Sequence, residues 1–245
     1  MTPSENTTPQ IQFIVVGWHY SYQDLIDGLI ELEKNNEYIN VFWSCHKEPT
    51  DYVKENFNYK VFPNLGLEDG AYQQALDYLN LPDNTILFLI HDDLVIKDWN
   101  FMNICLNSIG KYKIIGNCLN YPCVFDPQEV FDGKKAIDYV KDECKHLFDS
   151  KIFIKTIRAS FICIQHKDLK EVGYFEVMWE PPDYDSEEGL VWGNLPQSLF
   201  GYKATKVFTL EKIAYLSDRY LDSDFIYECA RGKVTDQHPI TNYKT

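Results

Sequence analysis

The triplet His91-Asp92-Asp93 closes the apolar run 86–90 (ILFLI) with no turn residue between the two. Adjacent carboxylates at a strand end repel each other unless positive charge stands beside them. A hard divalent cation, Mg2+ or Mn2+, answers that need, and a carboxylate with phosphate oxygens is its usual coordination. The alternative is a helix start, since either aspartate could cap the N–H groups that follow. One predicted helix upstream stand Asn64-Leu65-Gly66, then Gly70-Ala71 and Gln74. Glycines at a strand-to-helix turn allow a ligand close to the backbone and open helix N–H groups to an anion. They serve equally in a plain turn.

The elements that would position these residues alternate. Ile11–Gly17 (IQFIVVG) and Ile39–Cys45 (INVFWSC) are apolar runs of strand length, as are 59–62 and 86–90. Between them, Ser21 can cap a helix carrying Leu25, Ile26, Leu29 and Ile30, and 68–79 forms another with Ala71, Ala75, Leu76 and Leu79 inward. Strand–helix alternation implies parallel pairing in a sheet covered on both faces, with ligands beyond the carboxyl ends of the strands. That rim would gather Trp18-His19-Tyr20, 64–70 and His91-Asp92-Asp93. Further along, the spacing predicts a strand at Ile114–Cys118, a loop over 119–134 and a polar helix over 135–147. Strands at 159–165 and 204–208 would flank a helix over 190–200 that closes at Gly201. The boundaries are a polar tail 1–10, one domain over 11–233, and a polar tail 234–245 that could act as a lid.

Composition narrows the partners. Of 245 residues, 45% are hydrophobic and 15% aromatic, which suffices for a core of its own. The formal charge of −14 opposes nucleic acid, which needs a basic stripe, and anionic membrane surfaces alike. A diphosphate remains acceptable, because a bound cation masks its charge. No run approaches the ~20 apolar residues of a membrane helix, and 1–10 lacks a signal-peptide core. The 7 cysteines are scattered and without close zinc-type spacing, so they read as reduced thiols of a cytoplasmic protein.

The ordered segments FIVVGWHY, NLGLEDGAYQQAL, ILFLIHDDLVIKDW, RASFICIQHKDLKEVGYF and GYKATKV resemble the GT-A glycosyltransferases, the family 2 type in particular. In that family an opening strand ends in a donor-binding loop, and an N-x-G turn leads to a strand closed by a D-x-D motif. The resemblance spans roughly 11–208. It implies an α/β, Rossmann-like, mostly parallel sheet with helices on both faces, and a hexosyltransferase-type, nucleotide-sugar-dependent enzyme using Mn2+ or Mg2+. Asp93 matches the metal-binding carboxylate and Asp92 the middle of the motif. His91 departs from it by standing where the first acid would be. Ser44-Cys45-His46 stand where the family often carries an acid after its second strand, so base recognition would either differ or fall to Trp18, His19 and backbone.

By the same resemblance, Asn64, Gly66, Gly70, Gln74, His91, Asp92 and Arg158 line the donor pocket. The acceptor (a glycan, glycolipid or protein) would pass Ser160, Trp179 and Trp192; the tryptophans could equally be core. The cluster at 183–188 would supply the carboxylate base of an inverting transfer, in the order Glu188, Glu187, Asp185. These acids would otherwise simply favour a helix N-terminus. His238 would add a ligand from the tail. Two other readings stay open: a nucleotidyltransferase, although GWHYSYQDL lacks its Gly- and Lys/Arg-rich loop, and a non-catalytic sugar-nucleotide- or carbohydrate-binding module on the same fold.

Overall fold

A computed structural model describes residues 9–118, 123–125, 128, 130–131, 134–139, 142, 145, 152–154, 157–173, 200–201, 203–204, 207–208, 212–218 and 226–228. The 1–10 and 234–245 tails and the acidic segment 183–188 therefore lie largely or wholly outside the described residues.

Strand β1 (Ile11–Gly17) is buried along its whole length, as a parallel strand covered on both faces must be. It pairs in parallel with β2 (Ile39–Cys45) on one side and β4 (Ile86–His91) on the other, while β3 (Asn58–Val61) forms the edge beyond β2. After the short β5 (Leu94–Ile96), β6 (Ile114–Cys118) continues the main sheet. The minor strands β7 (Cys123–Phe125), β8 (Val130–Phe131), β9 (Lys134–Lys135) and β10 (Ile152–Ile154) form two separate pairs. Strand β11 (Ile157–Gln165) runs antiparallel between β4 and β6, and β12 (Ile213–Asp218) lies parallel beside β6. The resulting 7-stranded sheet has the order β12-β6-β11-β4-β1-β2-β3. Strand β13 (Ile226–Glu228) pairs with β5 apart from it.

Alternate residues of the strands feed two cores. Phe13, Val15, Val41, Trp43, Phe88 and Ile90 meet α1 (Gln23–Asn35), α2 (Asp51–Asn56) and α4 (Phe101–Ser108) on one face. Ile14, Val16, Phe42, Leu87 and Leu89 meet α3 (Leu67–Leu79) and α5 (His166–Val172) on the other. From β1 the chain proceeds to β2 and β3 on one side, and the α3 crossover brings β4 back to the other. Strand order thus reverses at the β1–β4 boundary, the position beyond whose carboxyl ends open α/β sheets take ligands.

Several expectations are corrected. Helix α1 begins at Gln23 with Tyr22 at its N-cap and no side-chain cap, not at Ser21. The region 119–134 contains β7 and β8, and 135–147 opens with β9 and a 3-10 turn, Ala136–Tyr139. Residues 203–204 and 207–208 are helical rather than a strand, and Gly201 lies within helix instead of closing one. Apolar runs as short as 204–208 do not distinguish helix from strand by periodicity.

Candidate functional site

The carboxyl end of β4 is built differently from either sequence expectation for Asp92. A turn and then β5 follow the triplet, so neither aspartate caps a helix. The Asp92 amide continues the ladder by donating to the Val16 carbonyl at 3.1 Å. Its side chain, 3% exposed, turns back across the β1–β4 boundary. There Oδ2 accepts from the backbone N–H groups of Trp18, His19 and Tyr20 at 2.8, 2.6 and 2.8 Å. Consecutive N–H groups aimed at one point make an anion cradle, and bonds to a carboxylate are about twice as strong as neutral ones.

The loop this carboxylate holds is tight. Tyr20 adopts a left-handed φ of 55°, uncommon for a side chain other than glycine. Its hydroxyl lies 3.0 Å from the Gly17 carbonyl and 2.9 Å from that of Lys47. Its ring passes so close to Gly17 that a Cβ there would stand 2.5 Å from it, so any side chain at 17 would displace the Tyr20 ring. Burial, then the bond to Cys45, raises the Tyr20 hydroxyl far above its usual range. The loop ends by presenting Trp18, 41% exposed. His46 meets the indole edge-on at 6.3 Å, and the Lys47 ammonium stands 5.3 Å from its ring centre.

On the α3 side, Gly66 supplies the left-handed N-cap at φ 82°. The Gln74 amide donates to the Pro63 and Gly70 carbonyls at 3.2 and 2.9 Å, so it braces the turn that carries Asn64. Gly70, its amide bonded to the Gly66 carbonyl, is buried within the first turns of α3. The sequence reading assigned an apolar inner face to this helix, and the structure adds Asp69 and Tyr72, both buried. The Tyr72 hydroxyl is pushed well above its usual range, by burial first and then by Glu68, Asp69, Asp93 and Asp92. Four carboxylates thus act on one buried ring, which also stacks at 6.3 Å on His91. An acid beside the small pair Gly70-Ala71 was the available signal for Asp69, since small neighbours let a helix end approach a sheet closely.

Asp93, 9% exposed, lies beside His91, with Oδ1 3.7 Å from Nδ1. Among the described residues no group of three or more His, Cys, Asp or Glu side chains encloses a metal ion by itself. A hard cation that keeps its waters and takes phosphate oxygens asks the protein for only one or two carboxylates, and Asp93 is of that chemical type. On the far side of β4, Ser160 is fully buried on β11, one residue beyond the registered pair Phe161–Ile90 and so level with His91. The Arg158 backbone lies further along the same strand, paired with Asn117. The structure therefore brings Trp18, His19, Asn64, Gly66, Gly70, Gln74, His91, Asp92, Asp93, Arg158 and Ser160 to one rim. Asp185, Glu187, Glu188, Trp179, Trp192 and His238 lie outside the described residues.

No protein-family profile matches the sequence, and no curated protein matches it. Among solved structures the chain is similar to glucosyl-3-phosphoglycerate synthase of M. tuberculosis, with TM-score 0.50 and 11% identity over 94% of this chain and 75% of that one. The same enzyme from Mycobacterium tuberculosis, in complex with Mn2+ and uridine-diphosphate-glucose, gives TM-score 0.48 and 12% identity over 94% and 73%. The mannosyltransferase PcManGT of Pyrobaculum calidifontis, in complex with GDP-Man and Mn2+, gives 0.46 and 11% over 86% of this chain. This chain spans only 57% of that mannosyltransferase's length. The fold is of the GT-A type, α/β with a mostly parallel sheet. Among the described residues no helix is long and apolar enough to cross a membrane.

Proposed function

We propose that this chain is a glycosyltransferase that moves a sugar from a nucleoside diphosphate sugar to an acceptor hydroxyl, with a divalent cation at Asp93. The observation that carries this reading is the rim itself. An exposed indole beyond β1, a glycine-opened helix start and a His–Asp pair at the end of β4 stand on one rim at the point where strand order reverses.

In this reading Trp18 packs against the nucleoside and the Asn64–Gly70 turn receives the donor's phosphates. Asp93, with His91 beside it, holds the cation, and His238 joins them from the tail. Bound there, the cation would offset the charge that builds on the leaving diphosphate. The acceptor enters past the segment from Trp179 to Trp192, on the side of β11 that carries Ser160, while Arg158 serves the donor phosphates. Ser160, fully buried, supports this wall without touching the acceptor. One carboxylate of Glu188, Glu187 or Asp185 takes the proton from the acceptor hydroxyl as its oxygen bonds to the anomeric carbon. The bond from that carbon to the diphosphate oxygen breaks on the opposite face, so configuration inverts.

Thermal unfolding with ADP, CDP, GDP and UDP and their sugar conjugates, with and without Mn2+, tests the reading. A ligand of the native state raises the midpoint by mass action. We expect a Mn2+-dependent rise for one base, lost in Asp93→Ala. No rise for any nucleotide, with or without the cation, would sink the proposal.

A further inference from the structure

The two aspartates of the triplet differ in what they face. Asp93 lies beside His91, its Oδ1 3.7 Å from Nδ1. Asp92 is turned into the protein, its Oδ2 held by three backbone amides and its own amide fixed to β1. We propose that Asp92 is a positioning residue: it takes neither cation nor nucleotide but sets the conformation of the 18–20 loop and so the place of Trp18.

Three features support this assignment. The donors come from successive residues across a strand boundary, so one side chain fixes the path of a whole turn. The turn is one the chain does not favour alone, since Tyr20 sits in the left-handed region and such a residue persists only where its surroundings over-determine it. The turn opens with the exposed indole, flanked by His46 and Lys47, so a shift in backbone at 18–20 is read out directly at the rim. A carboxylate suits the role better than an amide, because its negative charge answers three converging N–H dipoles at once. Asn at this position keeps the shape and forfeits that charge.

The assignment of loop to Asp92 stands by itself, while its bearing on nucleotide rests on the function proposed above. The test has one arm for each. Amide hydrogen exchange followed by NMR on the full chain compares wild type with Asp92→Asn, Gly17→Ala and Asp93→Asn. Asp92→Asn should speed exchange at Trp18, His19 and Tyr20 by about tenfold or more while amides of β2 and β4 keep their protection. Gly17→Ala, which displaces the Tyr20 ring without touching the carboxylate, should do the same. It decides the matter if Asp92→Asn does not hold its core. Asp93→Asn should leave these amides unchanged.

In the second arm, binding of the nucleoside diphosphate that wild type takes best is measured with Mn2+ and with EDTA. Asp92→Asn should weaken it about tenfold, as loss of a supporting contact does, and the remaining binding should still require Mn2+. Unchanged exchange at 18–20 in both loop variants would overturn the proposal. So would loss of the Mn2+ requirement in Asp92→Asn, which would make Asp92 a ligand. If wild type binds no nucleotide at all, the exchange arm still decides the anchor while the function falls.

Discussion

Ser44 Oγ donates to the Ala71 carbonyl at 2.7 Å and joins β2 to α3 where both residues are fully buried. The contact pins the end of β2 against α3. Ser44 lies under α3, Cys45 points into the core, and only His46 of the three reaches the rim. Ser44→Ala should cost about 1 kcal/mol, since the helix carbonyl keeps its other partner. Ser44→Asp, which inserts a carboxylate into a fully buried contact, should cost more than about 3 kcal/mol. Urea unfolding of the pair checks both values, and Ser44→Asp should not improve nucleotide binding.

Trp18 contributes to the rim and little to the core. Trp18→Ala should change stability by less than about 0.5 kcal/mol, as surface substitutions do. Its effect on nucleoside diphosphate affinity should be larger, on the order of 1–3 kcal/mol, the range of base–aromatic stacking. Denaturant titration beside calorimetric binding separates the two, and equal losses in both would count against the indole as a binding surface.

Helix α1 meets Trp99 through Gly28, where a Cβ would stand 2.3 Å from the indole. Gly28→Ala should therefore destabilise by about 1–3 kcal/mol despite the better helix propensity of alanine. A shift in tryptophan emission should accompany it, because the ring must move. Higher stability with unchanged emission would mean the ring yields at no cost.

Two carboxylates give stability opposite slopes against pH. Burial raises Glu33 above its ordinary value, although the Val41 amide bonded to it acts the other way. The folded state then holds more protons than the unfolded one just above the ordinary Glu range, so stability falls as pH rises through that window. The Lys170 ammonium, 2.6 Å from Asp83, lowers the latter. That contribution is present above the ordinary Asp range and is lost as pH falls through the depressed value. Midpoints measured from pH 3 to 7 should show the first slope flattened in Glu33→Gln and the second in Asp83→Asn.

Burial pushes the Cys45 thiol up to about 11, partly opposed by its bond to Tyr20. The thiolate is the reactive species, so Cys45 should resist iodoacetamide at pH 8 in the native protein and react once unfolded. Peptide mapping of the labelled chain reads this directly. Fast native labelling would show that β2 opens far more readily than its packing implies.

Legibility followed burial. Strands β1, β2 and β4 were readable as unbroken apolar runs because parallel strands covered on both faces have no polar side to show. Helix α3 was readable from its small and apolar spacing. Helix α2 has 6 residues and the minor strands only 2 or 3, too few for any period to register. Ser21 has the chemistry of a cap, yet the turn held by Asp92 carries the chain past it before the helix starts. The triplet could be recognised as a place where charge needs an answer. Which aspartate finds it in the protein could not, because the donors for Asp92 lie 72 to 74 residues upstream.

The reversed strand β11 also sets the order in which the sheet can be finished during synthesis. Strands β1 to β4 hold one another once residue 91 has emerged, but β6 has no place beside them until 157–165 is made, because β11 separates it from β4. Until 213–218 follows, β6 offers its other edge, with unpaired amides and carbonyls, to any strand nearby. Strand β4 keeps its own outer edge open until β11 is made, so between 118 and 157 the nascent chain carries exposed edges on both strands. Aggregation or chaperone capture should be greatest in chains stopped between 118 and 157, and fall in steps once 157–165 and then 213–218 are made.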